Sequence, residues 1–136
     1  MGTPFTLLGL DHIVLRVRDI DLMIVFYCTV LGCSLDKVQA EIGLYQLRAG
    51  RHLIDLIPLD GKLGRMGGVG PGAEGRNLEH FCLEVTPFDD AAIRAHLASH
   101  GVPAGTTGTR NGANGEGPSI YLTDPEGNNV ELKGAL

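Results

Sequence analysis

The amino-acid sequence predicts an α+β fold made of two copies of one βαβββ plan, and three observations predict it. "LDHIVLRV" at 10 to 17 returns sixty-eight positions later as "LEHFCLEV" at 78 to 85, with Leu, an acid, His, Leu and Val in register. Each copy runs into a segment with helical apolar spacing that a glycine closes, Gly32 in the first half and Gly101 in the second. Each half then ends in three short strand-like pieces. Strands and one helix in that order, twice, make an α+β architecture of two small curved sheets.

In the first half, "RDIDLMIVFYCTVLGC" offers Asp19 or Asp21 as a helix cap and sets Met23, Phe26, Tyr27, Val30 and Leu31 on one face. "SLDKVQ", "GLYQLR" and "HLIDLIP" supply its later strands. In the second half, "TPFDDAAIRAHLASHG" places Asp89 and Asp90 in the first helical turn and Ala92, Ile93, His96 and Leu97 on one stripe. "AGTTGTR", "PSIYLTD" and "NVELKG" follow as strands. An offset of seventy-six aligns Tyr45 with Tyr121 and Ile54-Asp55-Leu56 with Val130-Glu131-Leu132, so the second half carries extra residues, and "TRNGANGEGP" at 109 to 118 is their expected place. "DPEG" at 124 to 127 has the Asp, Pro and Gly positions of a type I turn and predicts the closing hairpin.

The 136 residues read as one domain, with modules at 8–60 and 76–136 joined by an arm at 61–75 that is almost half glycine and has no apolar period. Without a G-x-x-x-x-G-K-[ST] pattern or a strand-to-helix context, the arm reads as a connector and not a phosphate cradle. A net charge of −5 with acids spread along the chain provides no basic face for nucleic acid. The longest apolar run, residues 22 to 33, is too short to cross a bilayer, so the expected partner is neither nucleic acid nor membrane and the expected location is cytoplasmic. Cys28, Cys33 and Cys82 form no C-x-x-C pair and read as reduced, small hydrophobes.

Strand alternation locates the chemistry. Ile13, Leu15 and Val17 share the apolar face of the first strand, and Phe81, Leu83 and Val85 that of its repeat, so His12 and His80 both fall on the other face. In the last strand of each half, Asp55 and Glu131 stand between apolar neighbours, where an acid is poorly placed unless it enters a polar cavity or binds something. His12, Asp55, His80 and Glu131 therefore form a candidate set of two imidazoles and two carboxylates for a divalent cation. Four such donors on an octahedral ion leave two positions for neighbouring substrate oxygens. Secondary candidates are Tyr121, which can hydrogen-bond a substrate oxygen, and Arg110, which opens the inserted loop and suits an anionic substrate. His52, His96 and His100 fall outside the set.

Taken together, "LDHIVLRVRD", "FYCTVLGC", "LIDLIP", "LEHFCLEV" and "YLTDPEGNNVELKG" resemble the vicinal oxygen chelate superfamily of glyoxalases, bleomycin-resistance proteins and extradiol dioxygenases. The resemblance implies paired βαβββ modules forming an open, curved mixed sheet around a central cavity that holds a metal. It implies His12, His80 and Glu131 as ligands and Asp55 at the fourth position, where the glyoxalase branch carries Glu or Gln. It implies Ni, Zn, Co, Mn or Fe as the ion, a small-molecule substrate with vicinal oxygens, and a homodimer whose modules pair within a chain or across the dimer. Lyase or isomerase chemistry, with Glu131 or Asp55 moving the proton, is preferred over ring-cleaving dioxygenation because many ring-cleaving relatives carry four modules. Metal-free ligand sequestration of the bleomycin-resistance kind is the remaining class, and its members generally lack the His and Glu set.

Overall fold

A computed structural model describes residues 2–136. The chain divides into two units, one through Gly70 and one from Pro71. The first unit runs β1 (His12–Val17), α1 (Ile20–Val25, continuing through a widened turn at Phe26–Val30), β2 (Ser34–Gln39), β3 (Leu44–Ala49) and β4 (His52–Pro58). The second runs β5 (Phe81–Val85), α2 (Asp90–Ser99), β6 (Gly108–Arg110), β7 (Gly117–Thr123) and β8 (Asn129–Gly134). The predicted βαβββ order is present in both. Each unit holds one four-stranded mixed sheet, ordered β1-β4-β3-β2 in the first and β5-β8-β7-β6 in the second. Among the described residues no helix is long and apolar enough to cross a membrane.

The helices begin as the sequence predicts. Asp19 accepts the Leu22 N–H at 3.0 Å and Asp89 accepts the Ala92 N–H at 3.1 Å, each meeting one of the amide donors that a helix start leaves free. They end where Gly32 and Gly101 take φ of 83° and 69°, a left-handed turn that other residues enter only with strain. Met23, Phe26 and Tyr27 are buried, and Phe26 meets Tyr27 edge-on at 5.2 Å. With Leu15, Val17, Leu47, Ile54 and Leu56 they form the apolar layer of the first unit. Tyr27, Met23 and Leu47 are each sealed from solvent, and burying each side chain stabilises the unit by about 1.5–3 kcal/mol. In α2 the buried stripe is narrower than expected. Leu97 is buried and Ile93 half-buried, while Ala92 and His96 face solvent, and Ile120, Leu122, Val130 and Leu132 are the buried apolar residues of the sheet.

α2 also carries a titratable link to the loop before β6. The Thr107 hydroxyl and the Arg94 Nε both donate to Asp90, and Arg94 Nη2 reaches the Gly105 carbonyl at 2.8 Å. The Thr107 hydrogen bond, followed by Arg94, holds the Asp90 carboxyl below its ordinary range. A carboxyl lowered in the folded state adds stability above its unfolded value and loses it as pH falls through the folded one. Thr107→Val is therefore expected to lower stability at neutral pH, with the difference from wild type vanishing as pH falls below the carboxyl's range, as read from urea midpoints at neutral and acid pH.

Register places the inserted residues. Four residues separate the paired Gln39 and Leu44, and ten separate their counterparts Gly108 and Ser119, so the β6–β7 loop holds the expansion, as predicted. The DPEG turn closes as expected, with Gly127 N–H bonded to Asp124 O at 3.0 Å. The arm departs from expectation. Instead of a free connector, residues 64–67 form a short tight helical turn, and the Arg16 guanidinium donates to the carbonyls of Gly64, Gly67, Gly68 and Val69. Glycine freedom alone suggested slack; one guanidinium with five donors takes it up.

Candidate functional site

In the first unit β1 pairs with β4 and β4 with β3 so that Val14, Asp55 and Gln46 stand in one row. His12 lies two residues before Val14 and shares their face. Its Nε2 is 3.8 Å from Asp55 Oδ2, and the Asp55 side chain, 2% exposed, also accepts from Gln46 Nε2 at 3.2 Å. On the other side of the ring, His12 Nδ1 is 2.7 Å from Asp11 Oδ1. That hydrogen bond raises the imidazole above its ordinary value, and a ring proton kept on Nδ1 leaves the Nε2 lone pair toward Asp55.

The second unit repeats the layout. Cys82, Glu131 and Tyr121 form the matching row across β5, β8 and β7. His80, immediately before β5, brings Nε2 to 3.3 Å from Glu131 Oε1, and its Nδ1 contacts Glu79 Oε2. Glu131 is 5% exposed, and its second oxygen, Oε2, is buried with no hydrogen-bond partner. The Tyr121 ring stands edge-on to His80 at 5.3 Å, with the Arg110 guanidinium 4.7 Å above its centre. Burial, then the charge of Glu131 and a hydrogen bond to it, raise the Tyr121 hydroxyl above its ordinary value, so it stays protonated. The same two causes push the Cys82 thiol up to about 11, which makes it a wall of the site and not a nucleophile.

Sequence reasoning brought all four side chains to one cation, and within each unit the structure brings His12 to Asp55 and His80 to Glu131. Among the described residues no three or more His, Cys, Asp or Glu side chains are gathered to hold a metal; the donors stand as two pairs. Their chemistry fits a divalent ion, since each pair offers an imidazole nitrogen beside a buried carboxylate and one buried carboxylate oxygen is unsatisfied. Arg110 is more engaged than a loop charge: Nη1 donates to Ser119 O at 2.7 Å and to Ser119 Oγ at 2.8 Å, and Nη2 to Thr106 O at 3.0 Å. It braces Tyr121 from above.

One expectation fails. Tyr45, aligned with Tyr121 by sequence, pairs with Leu56 on the apolar face, and Gln46 is the residue opposite Asp55. Nine residues lie between Tyr121 and its partner Glu131 but eight between Gln46 and Asp55, and a one-residue slip moves a side chain to the opposite face. Gln46, Asp11 and Glu79 were missed as site residues. The acid preceding each histidine was visible in both repeats and signalled a partner for the imidazole Nδ1.

The family model of the Glyoxalase/Bleomycin resistance protein/Dioxygenase superfamily matches residues 9–132. The chain belongs to this superfamily. Within the superfamily, it is 33% identical over 127 residues to virulence protein STM3117 of Salmonella typhimurium, covering 90% of this chain and 81% of that protein. The crystal structure of that virulence protein superposes with a TM-score of 0.76 at 25% identity, over 97% of this chain and all (100%) of the other. An integron cassette protein from the mobile metagenome of V. cholerae gives a TM-score of 0.75 at 28% identity, over 98% of this chain and 100% of its own. A lactoylglutathione lyase from Agrobacterium tumefaciens shares the fold at 19% identity, with a TM-score of 0.66 over 98% of this chain and 96% of its own.

Proposed function

We propose that this superfamily member is a divalent-metal-dependent lyase or isomerase of the glyoxalase type, acting on a small substrate with vicinal oxygens. The observation that carries the reading is the Glu131 carboxylate, buried beside His80 with Oε2 unsatisfied. A buried anion without a full set of partners is costly, and a cation held with His80 offsets that cost. His12 and Asp55 repeat the arrangement, so the proposed donors are His12, Asp55, His80 and Glu131. Homodimerisation is part of the proposal, the four donors being assembled within a chain or across two.

When bound, the ion (Ni, Zn, Co, Mn or Fe) polarises the substrate oxygens and stabilises negative charge that develops on them. The chain itself supplies the rest. Glu131, or Asp55 opposite it in the duplicated plan, takes the proton next to a carbonyl and returns it. Tyr121, protonated and fixed between His80 and Arg110, donates a hydrogen bond to a substrate oxygen and fixes its position. Asp11 and Glu79 keep the imidazoles oriented through Nδ1.

A second reading has its own support. Gln46 already occupies the Asp55 carboxylate, which leaves His12, His80 and Glu131 as a two-histidine, one-carboxylate set suited to ferrous iron and ring-cleaving dioxygenation. Elemental analysis of the purified chain, followed by assays with thiol–aldehyde adducts and with catechols, separates the readings. The expected result is stoichiometric Ni, Zn, Co or Mn and turnover of the adducts. Oxygen-sensitive ferrous iron with catechol cleavage would establish the second reading. A chain that takes up no metal and binds a small ligand reversibly would overturn both.

A further inference from the structure

Beyond Glu131, the polar face of β8 carries a second charged side chain that the proposed chemistry does not use. Lys133 lies two residues on, on the same face, set by register between Glu84 of β5 and Ser119 of β7. It is only 7% exposed. Its stem is enclosed while the ammonium keeps contact with solvent on that face. The neighbouring groups are bound elsewhere: Glu84 Oε2 accepts from Asn114 Nδ2 at 3.2 Å, and Ser119 Oγ accepts from Arg110 Nη1 at 2.8 Å. Among the described residues no carboxylate lies within ion-pair distance of Lys133.

The chain makes room for this side chain. A Cβ at Gly112 would sit 2.8 Å from Lys133 Cε and 3.3 Å from Nζ, and one at Gly117 would sit 3.1 Å from Nζ. Gly112 lies in the β6–β7 connection and Gly117 opens β7, both within the stretch by which this hairpin exceeds its counterpart in the first unit. In the first unit the position matching Lys133 is Ile57, buried and apolar, so the shared scaffold needs no cation there. The ammonium and the loop that admits it are therefore features of the second unit alone.

We propose that Lys133 binds an oxyanion group of the substrate, a carboxylate or a phosphate-type group, next to the Glu131–Tyr121 row. A small-molecule site that presents an ammonium without a carboxylate partner favours an anionic substrate, because an anion forms a charge-assisted hydrogen bond with it that an uncharged substrate cannot. This rests on reading the Glu131 face as the substrate site.

Isothermal titration of the full chain with oxalate, inorganic phosphate and uncharged catechol tests it, in metal-free and metal-loaded protein. Wild type is expected to bind at least one of the two anions, with preference between them distinguishing a carboxylate from a phosphate site. Lys133→Met is expected to weaken that anion at least about tenfold, and Lys133→Arg by no more than about threefold, because the charge-assisted bond is lost in one and kept in the other. Catechol affinity and metal content should not change. Gly112→Ala, which displaces the ammonium without removing it, should weaken the anion to a smaller degree. The proposal is overturned if Lys133→Met keeps wild-type affinity for the anion, or if wild type binds neither anion. Lys133-dependent anion binding in a chain that takes up no metal would uphold it while sinking the metal enzyme reading; metal uptake with no dependence on Lys133 would do the reverse.

Discussion

His80→Ala and Glu131→Ala are each expected to abolish divalent-metal uptake, with affinity falling by more than ~100-fold, since loss of a mere supporting partner already costs 10–100-fold. What distinguishes them is the stability of the metal-free protein. Glu131 is held at 5% exposure with one oxygen facing His80 and the other buried without a hydrogen-bond partner. Removing that carboxylate relieves a buried charge, so Glu131→Ala should unfold at the same urea concentration as wild type or higher, by an amount on the order of 1 kcal/mol. Removing His80 instead strips the buried carboxylate of its imidazole, and His80→Ala should unfold earlier. Urea midpoints and elemental analysis on the same preparations read both effects. Two variants equally destabilised, with metal content unchanged, would make the pair a structural feature and end its assignment as a ligand pair.

Gly64→Ala is expected to cost about 3 kcal/mol or more in the urea-unfolding free energy. A Cβ there would stand 1.7 Å from the Pro58 carbonyl oxygen, 2.5 Å from its carbon and 2.9 Å from Leu59 Cα. All three are backbone atoms, so no flexible side chain can give way, and either the end of β4 or the arm must move. Movement of the arm also withdraws the Gly64 carbonyl from Arg16 Nε and Nη2, now 3.1 and 2.9 Å away. Gly72→Ala is the internal comparison, because nothing lies within 4 Å of its Cβ. Its effect should stay within about 0.5 kcal/mol, the range of ordinary surface changes. Equal stability of the two variants would show that the arm does not pack against β4.

The periodic part of the protein was legible before any coordinates. Alternation in "HIVLRV" and "FCLEV" put His12, and by extension His80, opposite the apolar face, and β2, β4 and β8 begin and end on the residues the sequence suggested. Aspartate caps and closing glycines marked both helices. Such signals are local: a side chain's face follows from its own strand, and a cap from three residues of its own helix. The repeat did not extend this far for Tyr45, because register depends on the length of the turn joining two strands, and one added residue turned the expected counterpart of Tyr121 to the other face.

From the sequence alone came the two-module plan, the histidine and carboxylate candidates, and the location of the inserted loop. Tertiary structure decided that Gln46 holds Asp55, that Glu131 keeps a buried oxygen without a hydrogen-bond partner, that Arg16 gathers a glycine-rich arm, and that Lys133 stands on the Glu131 face with its stem enclosed. The reason is physical. Whether a polar atom is satisfied is a property of everything packed around it, contributed by strands and loops far apart in the chain, and no periodicity within one segment encodes which of those neighbours arrives.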